Sequence, residues 1–237
     1  MNRAPFLLPW LLGAASCRAA PVPVPESEVA DLERAVRAAN PPPAGYRAVG
    51  TVAIEGDFFL ALTRRRTMDF IAAAAPGRAF VLLRQPFGTV LKAGSVEGLL
   101  WAIVTTPEAI LYRRSLLEAK GPTPVLVARD LLLAFDLCAG LPARLSLART
   151  EEEVLGVDGE NVYAFEPGTL RLRRRELPGV WIEQEGEGSV PGRMVIHGLR
   201  LRERIEVRIE AVEPGAPRPE TFEPGATDDL KEGDPDA

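Results

Sequence analysis

The sequence predicts an α+β fold: one long antiparallel sheet, curled into a half-open β-barrel, with helices packed on its concave face. Three observations lead there. Short segments that alternate apolar and polar residues recur through the chain, separated by Gly, Pro and Asp clusters. One helical segment, beginning at Thr123, is apolar around most of its circumference and has to be buried. A single sheet of about ten strands is too long to stay flat, so it curls around that helix.

Residues 26–40 form the first element, an amphipathic helix. Val29, Leu32 and Val36 recur at helical spacing, with Glu28, Asp31, Arg34 and Arg37 between them, and Pro41-Pro42-Pro43 stop it. Residues 45–55 alternate as a strand and end at the turn Glu55-Gly56-Asp57. Strands are expected over 58–64, 67–75 and 78–84, the last closed by Gln85-Pro86-Phe87-Gly88. Further strands fit 89–93, 99–105 and 109–114, with Thr106-Pro107-Glu108 as a turn. Thr123 caps the second helix, Pro124 takes its first position, and VLVARDLLLAFDLCA follows until Gly140 and Pro142 end it. The chain then returns to strands over 161–165, 169–174, 179–185, 193–201 and 203–212. In the last of these Ile205, Val207, Ile209 and Ala211 face one way and Arg204, Glu206, Arg208 and Glu210 the other. The expected domain therefore covers 26–212, and no internal repeat is visible.

The chain has 237 residues, 46% of them hydrophobic, which suits one domain with a sizeable core. Its net charge of −5 is too mild for a nucleic-acid binder. The charge is also unevenly placed. Residues 213–237 carry eight acids and two bases, while 17–212 carry 25 of each. That final stretch, rich in Pro, Gly and acids, reads as a disordered tail. Arginine outnumbers lysine 25 to 3, a bias of GC-rich bacterial genomes that says nothing about mechanism.

The first twenty residues read as an export signal. Arg3 gives a positive start, and APFLLPWLLGAA (4–15) is an apolar run too short to span a bilayer. It closes on Gly13-Ala14-Ala15-Ser16-Cys17, similar to a bacterial lipobox, in which small residues precede a cysteine that is acylated and becomes the new N-terminus; Ala14 stands where Leu is usual. The alternative is an ordinary signal peptide cut near Ser16 or Ala20, with Cys17 incidental. The expected arrangement is a signal over 1–16, lipidation at Cys17, and a Pro-rich tether over 17–25. The two cysteines, Cys17 and Cys138, are too few for a metal site or a disulfide framework.

No catalytic constellation is visible, and the expectation is a protein that is not an enzyme and uses no metal or cofactor. His197 lies within a strand and has no metal-ligand spacing around it. GVDGEN (156–161) lacks the ligands of a calcium loop and reads as a hairpin turn. Arg64-Arg65-Arg66 and Arg173-Arg174-Arg175 are solvated strand edges, with contact to anionic headgroups as the functional alternative. Large apolar side chains are the more useful signal. Phe59, Phe70, Phe80, Leu82, Phe87, Trp101, Ile103 and Phe135 are the candidates to line a cavity for an acyl chain, against the plainer reading that they fill the core.

Several segments together resemble the lipoprotein-localisation proteins of the bacterial cell envelope, the LolA/LolB-like superfamily. These are the N-terminal helix leading into GYRAVGTVAI, the stretch RAFVLLRQPFGTVL, the helix ending AFDLCAGLP, and IEVRIEAVEP before RPETFEP. The resemblance covers roughly 26–224 and, with a lipidated cysteine, points to the LolB-like branch. It implies an incomplete barrel with helices as a lid and acyl chains held in a hydrophobic cavity. It also implies an outer-membrane anchor facing the periplasm, with lipid, lipoprotein acyl chains or an envelope protein as partners. The competing expectation is an envelope interaction lipoprotein whose core is closed by its own side chains and whose outer face or tail docks a protein.

Overall fold

The computed structural model describes residues 20–55, 65–105, 108–116, 123–198, 203–225 and 230–233. Over those residues the chain forms fifteen strands, two α-helices and one 3-10 turn. The strands are β1 (Val22–Pro23), β2 (Tyr46–Glu55), β3 (Arg65–Ala75), β4 (Arg78–Gln85), β5 (Gly88–Val96), β6 (Leu99–Val104), β7 (Ile110–Ser115), β8 (Ser146–Arg149), β9 (Val154–Asp158), β10 (Asn161–Phe165), β11 (Leu172–Leu177), β12 (Val180–Glu185), β13 (Arg193–Gly198), β14 (Glu203–Pro214) and β15 (Lys231–Glu232). The helices are α1 (Glu26–Ala39) and α2 (Thr123–Phe135), and the 3-10 turn is Pro219–Phe222.

All strands belong to one open sheet, in the order β1-β8-β9-β10-β11-β12-β13-β14-β2-β3-β4-β5-β6-β7-β15. Every pairing is antiparallel except β15 on β7, which is parallel. The chain thus lays down β2 to β7 as a meander in one direction. It crosses through α2 to the far edge, then returns strand by strand until β14 closes against β2. The expected α+β class and curled sheet are present, in more strands than anticipated.

Both helices lie on one face of this sheet. α2 packs on β3, β4, β5, β6 and β13, and eleven of its thirteen residues are buried. α1 sets Leu32 and Val36 against Leu147 of β8, Val154 of β9 and Tyr163 and Phe165 of β10. Alternate residues point to the opposite, convex face. There Ala73, Phe80, Trp101, Ile103 and Leu111 gather into a separate cluster, covered by Phe222 of the 3-10 turn.

Several elements differ from expectation for visible reasons. α2 ends at Phe135, before Gly140. Its last carbonyls are taken by side chains: the Arg175 guanidinium donates to Ala134 O (2.8 Å) and the Tyr46 hydroxyl to Phe135 O (2.6 Å). Those donors satisfy the orphaned helix end, and the chain turns away. The strand expected over 169–174 starts at Leu172, because Leu170 adopts a positive φ of 56°. Asn40, just past α1, fixes that start by accepting from Leu172 N and donating to Leu170 O, both at 2.8 Å. β5 runs on through Gly94, where the Trp101 ring lies so close that a Cβ would come within 2.6 Å of it. The glycine is there to receive the indole. β8 and β9, not anticipated, form a hairpin, and Asp158 to Asn161 make the expected plain turn into β10.

The described residues toward both chain ends are more ordered than read. Within the tether, Val22 and Pro23 pair with β8, and Val24 N donates to Leu147 O. Within the supposed tail, β14 extends to Pro214, Phe222 is buried at 1% exposure, and β15 adds to β7. Composition marked this segment as polar but missed the single phenylalanine that docks it. Residues 1–19 and 56–64, which include Cys17, Phe59 and the strand expected over 58–64, lie outside the described residues.

Candidate functional site

The concave face is where the sheet, α1 and α2 meet, and its floor has an uneven texture. One cross-strand row runs Ala48, Ala72, Val81, Ala93 and Ala102 over β2 to β6. Ala74 and Ala79 pair in the row beside it. All of these are buried. Small side chains here make an apolar trough, and bulkier ones flank it: Phe70, Leu83, Leu91 and Val104 on one side, Tyr46 and Leu100 on the other. A rod about 10 Å across fits such a trough, which is the diameter of a helix. α2 fills it, with the Phe135 ring 5.2 Å from that of Phe70.

α2 is nonetheless a poorly matched occupant at one point. Arg129 and Asp130 are both buried on it, and the Arg129 Nε donates to Asp130 Oδ1 at 2.7 Å. The Arg129 Nη1 has no hydrogen-bond partner. A charged pair moved out of water and left incompletely satisfied weakens the packing around it.

Between α1 and α2 the same face holds a cavity of about 430 Å³. Asn40 and the prolines after α1 line one wall, Asp136 and Leu137 after α2 another, and Tyr163, Arg175 and Gln184 the sheet side. Arg175 is the third arginine of a run expected to be solvated, yet it is only 7% exposed. It sits opposite Tyr163 of β10 and Ile182 of β12, on the concave side. Burial pulls its guanidinium below the usual arginine range, opposed by the Asp136 carboxylate and the Tyr46 and Tyr163 hydroxyls. Burial likewise pushes the Asp136 carboxyl up, against Arg175 and the Ala139 backbone. Its neighbour Arg174 faces elsewhere, paired with Glu153 at 2.9 Å. The strand period alone separates these two roles.

The structure divides the sequence's acyl-chain candidates. Phe70 and Phe135 meet under α2 on the concave face. Phe80, Leu82, Trp101 and Ile103 stand on the convex face. There Trp101 Nε1 donates to Phe222 O (2.8 Å) and the Phe80 and Trp101 rings are 6.3 Å apart. Phe87 touches neither group: it is 101% exposed at the turn between β4 and β5. The seven described candidates are therefore spread over two faces and one exposed turn, and Phe59 lies outside the described residues. Arg175, Asp136 and Tyr163 were not singled out for this cavity. The signal that would have found Arg175 is its place in a strand whose cross-strand neighbours are apolar.

Cys138 is a buried free thiol, pushed up to about 11 by burial first and the Asp136 carboxylate second. His197 lies in β13 as expected, its ring 5.0 Å from Trp181. Among the described residues no three His, Cys, Asp or Glu side chains gather as a metal site, and no helix is long and apolar enough to cross a membrane.

No protein-family model matches the sequence, and no curated protein matches it. Solved structures do. A LolA superfamily protein from Nitrosomonas europaea is 11% identical over 82% of this chain and 96% of its own, with a TM-score of 0.54. A domain assigned to outer-membrane lipoprotein sorting from Vibrio parahaemolyticus is 9% identical over 81% and 94%, with a TM-score of 0.52. A DUF1329 family protein from Desulfovibrio piger is 12% identical over 82% and 95%, with a TM-score of 0.50. At such identities the likeness is one of fold.

Proposed function

From a chain with the LolA/LolB-like fold, we propose a non-enzymatic envelope lipoprotein that holds a lipid or lipoprotein acyl chain on the concave face of its sheet. Cys17 carries its own lipid anchor, and the domain faces the periplasm from the outer membrane. The alanine-floored trough supports this reading: a row of small apolar residues across five strands receives a cylindrical apolar body. In the form described here that body is α2. An acyl chain takes its place when α2 swings out, and each buried methylene then returns roughly 0.8 kcal/mol. The incompletely satisfied Arg129–Asp130 pair lowers what is lost when the helix leaves.

One observation favours a second reading. α2 fills the trough with its own side chains, as a closed interaction module would. In that reading the protein docks an envelope partner and never opens.

The deciding experiment is to express residues 21–237 in a lipid-containing host, purify them without detergent, and extract them for mass spectrometry. Stoichiometric phospholipid or acyl chain is the expected result. A lipid-free, stable protein that also fails to bind a fluorescent fatty acid removes the carrier reading and leaves the docking module.

A further inference from the structure

The cavity between α1 and α2 has a feature that an apolar trough does not need. Arg175 is more than nine-tenths buried and lines it. Its guanidinium carries a charge at any physiological pH, yet among the described residues no carboxylate forms an ion pair with it. Its Nη2 is committed to Ala134 O, and its Nε has no partner. Asp136, on the same cavity, also has a buried carboxylate oxygen, Oδ1, without a hydrogen bond. Two of the other charged residues on the lining have partners. Glu185 pairs with Arg193 at 3.0 Å, and Arg171 donates to Glu187 O. The Asp136 carboxylate acts on Arg175 only from beyond ion-pair distance, so a buried guanidinium nitrogen is left without a partner, and the cavity beside it gives room for one to enter.

We propose that this cavity is a binding site for a small anionic oxygen group, carboxylate or phosphate, with Arg175 as its charge partner. The guanidinium fork suits two oxygens of such a group. The Asp136 carboxylate and the Gln184 Oε1, also unpartnered, then accept from donors on the remainder of the ligand. Three acids and two arginines line the cavity, which refuses a polyanion, and the unpartnered Arg175 Nε is what a compact anion would meet. The group arrives either as a free small molecule or as the headgroup of a lipid whose chain lies along the sheet. Only the lipid source rests on the acyl-chain reading above.

The test uses the full chain in a non-ionic detergent, titrated with sodium phosphate, sodium acetate and dihexanoyl phosphatidic acid at constant ionic strength. Thermal midpoint and calorimetric binding are read for the wild type, Arg175→Met and Arg175→Lys. The wild-type midpoint is expected to rise with at least one anion. Arg175→Met lowers the anion-free midpoint, because it also removes the bond to Ala134 O at the end of α2, and weakens anion binding at least tenfold. Arg175→Lys keeps the charge and falls between. Equal affinity for phosphate and the short lipid identifies a free anion; tighter lipid binding by tenfold or more identifies a headgroup. Absence of any anion-dependent shift in the wild type, or the same shift in Arg175→Met, overturns the proposal and leaves ordered water as the content of the cavity. Phosphate binding without fatty-acid binding keeps this site and removes only the acyl-chain reading.

Discussion

Truncating Phe135 to alanine tests how firmly α2 belongs to the core. The ring is fully buried and meets Phe70 at 5.2 Å. The Tyr46 hydroxyl bonds the backbone oxygen of Phe135, so the substitution leaves that bond in place. What is lost is a phenyl group in a packed interior, which costs about 3–5 kcal/mol through lost transfer energy and the void left behind. For a domain of this size that lowers the thermal midpoint by roughly 6–20 °C. Urea unfolding followed by tryptophan fluorescence gives the free energy directly, with an unchanged denaturant slope as the check that the folded state is intact. A loss below about 1 kcal/mol would refute the packing argument, because it would mean that α2 contributes little to the fold in solution. The variant also speaks to function. A trough with a loosened occupant binds a fluorescent fatty acid more tightly than the wild type. A closed module loses stability and gains no binding.

Three further expectations follow from other parts of the molecule. Replacing Arg129 and Asp130 together by Met and Leu is neutral or stabilising by about 1–4 kcal/mol, whereas Arg129→Met alone costs about 3–5 kcal/mol; chemical denaturation of both variants separates them, and equal losses would sink the reading of that pair. Phe222→Ala releases the C-terminal segment from the convex face without melting the sheet. Limited proteolysis then cuts after residue 214 well before global unfolding, and unchanged protection would show that Trp101 and Lys92, which bond Phe222 O and Pro224 O, hold the segment alone. Cys138, with its thiol pushed up to about 11, is roughly a thousandth thiolate at pH 8 and resists alkylation in the folded protein. Rapid labelling at pH 8 without denaturant would contradict its burial.

The sequence conveyed the general plan well where one physical signal dominated. The alternation of Ile205, Val207 and Ile209 with charged residues marked β14, and the nearly all-apolar run after Pro124 marked α2. The resemblance carried by GYRAVGTVAI and AFDLCAGLP pointed to the fold that the solved structures share. The site was less legible. In LLWAIV both faces of β6 are apolar, so alternation cannot say that Leu100 and Ala102 face the helix while Trp101 and Ile103 face the tail. Both faces are covered, one by α2 and one by a segment whose composition hides Phe222. The end of α2 was misplaced because its cap comes from Tyr46 and Arg175, which lie 89 and 41 residues away. No local pattern carries that information. β8 and β9 are four and five residues long, too short for alternation to rise above the turn residues around them.

The pairing of Val22 and Pro23 with β8 sets a leash length. On the proposed acylation of Cys17, the five residues from there to Val22 would reach at most about 18 Å when fully extended. The β8 edge would then stay close to the bilayer surface. On the proposed anchor the first strand would moor the protein, and lengthening the stretch between Cys17 and Val22 would change what it can touch without changing its fold.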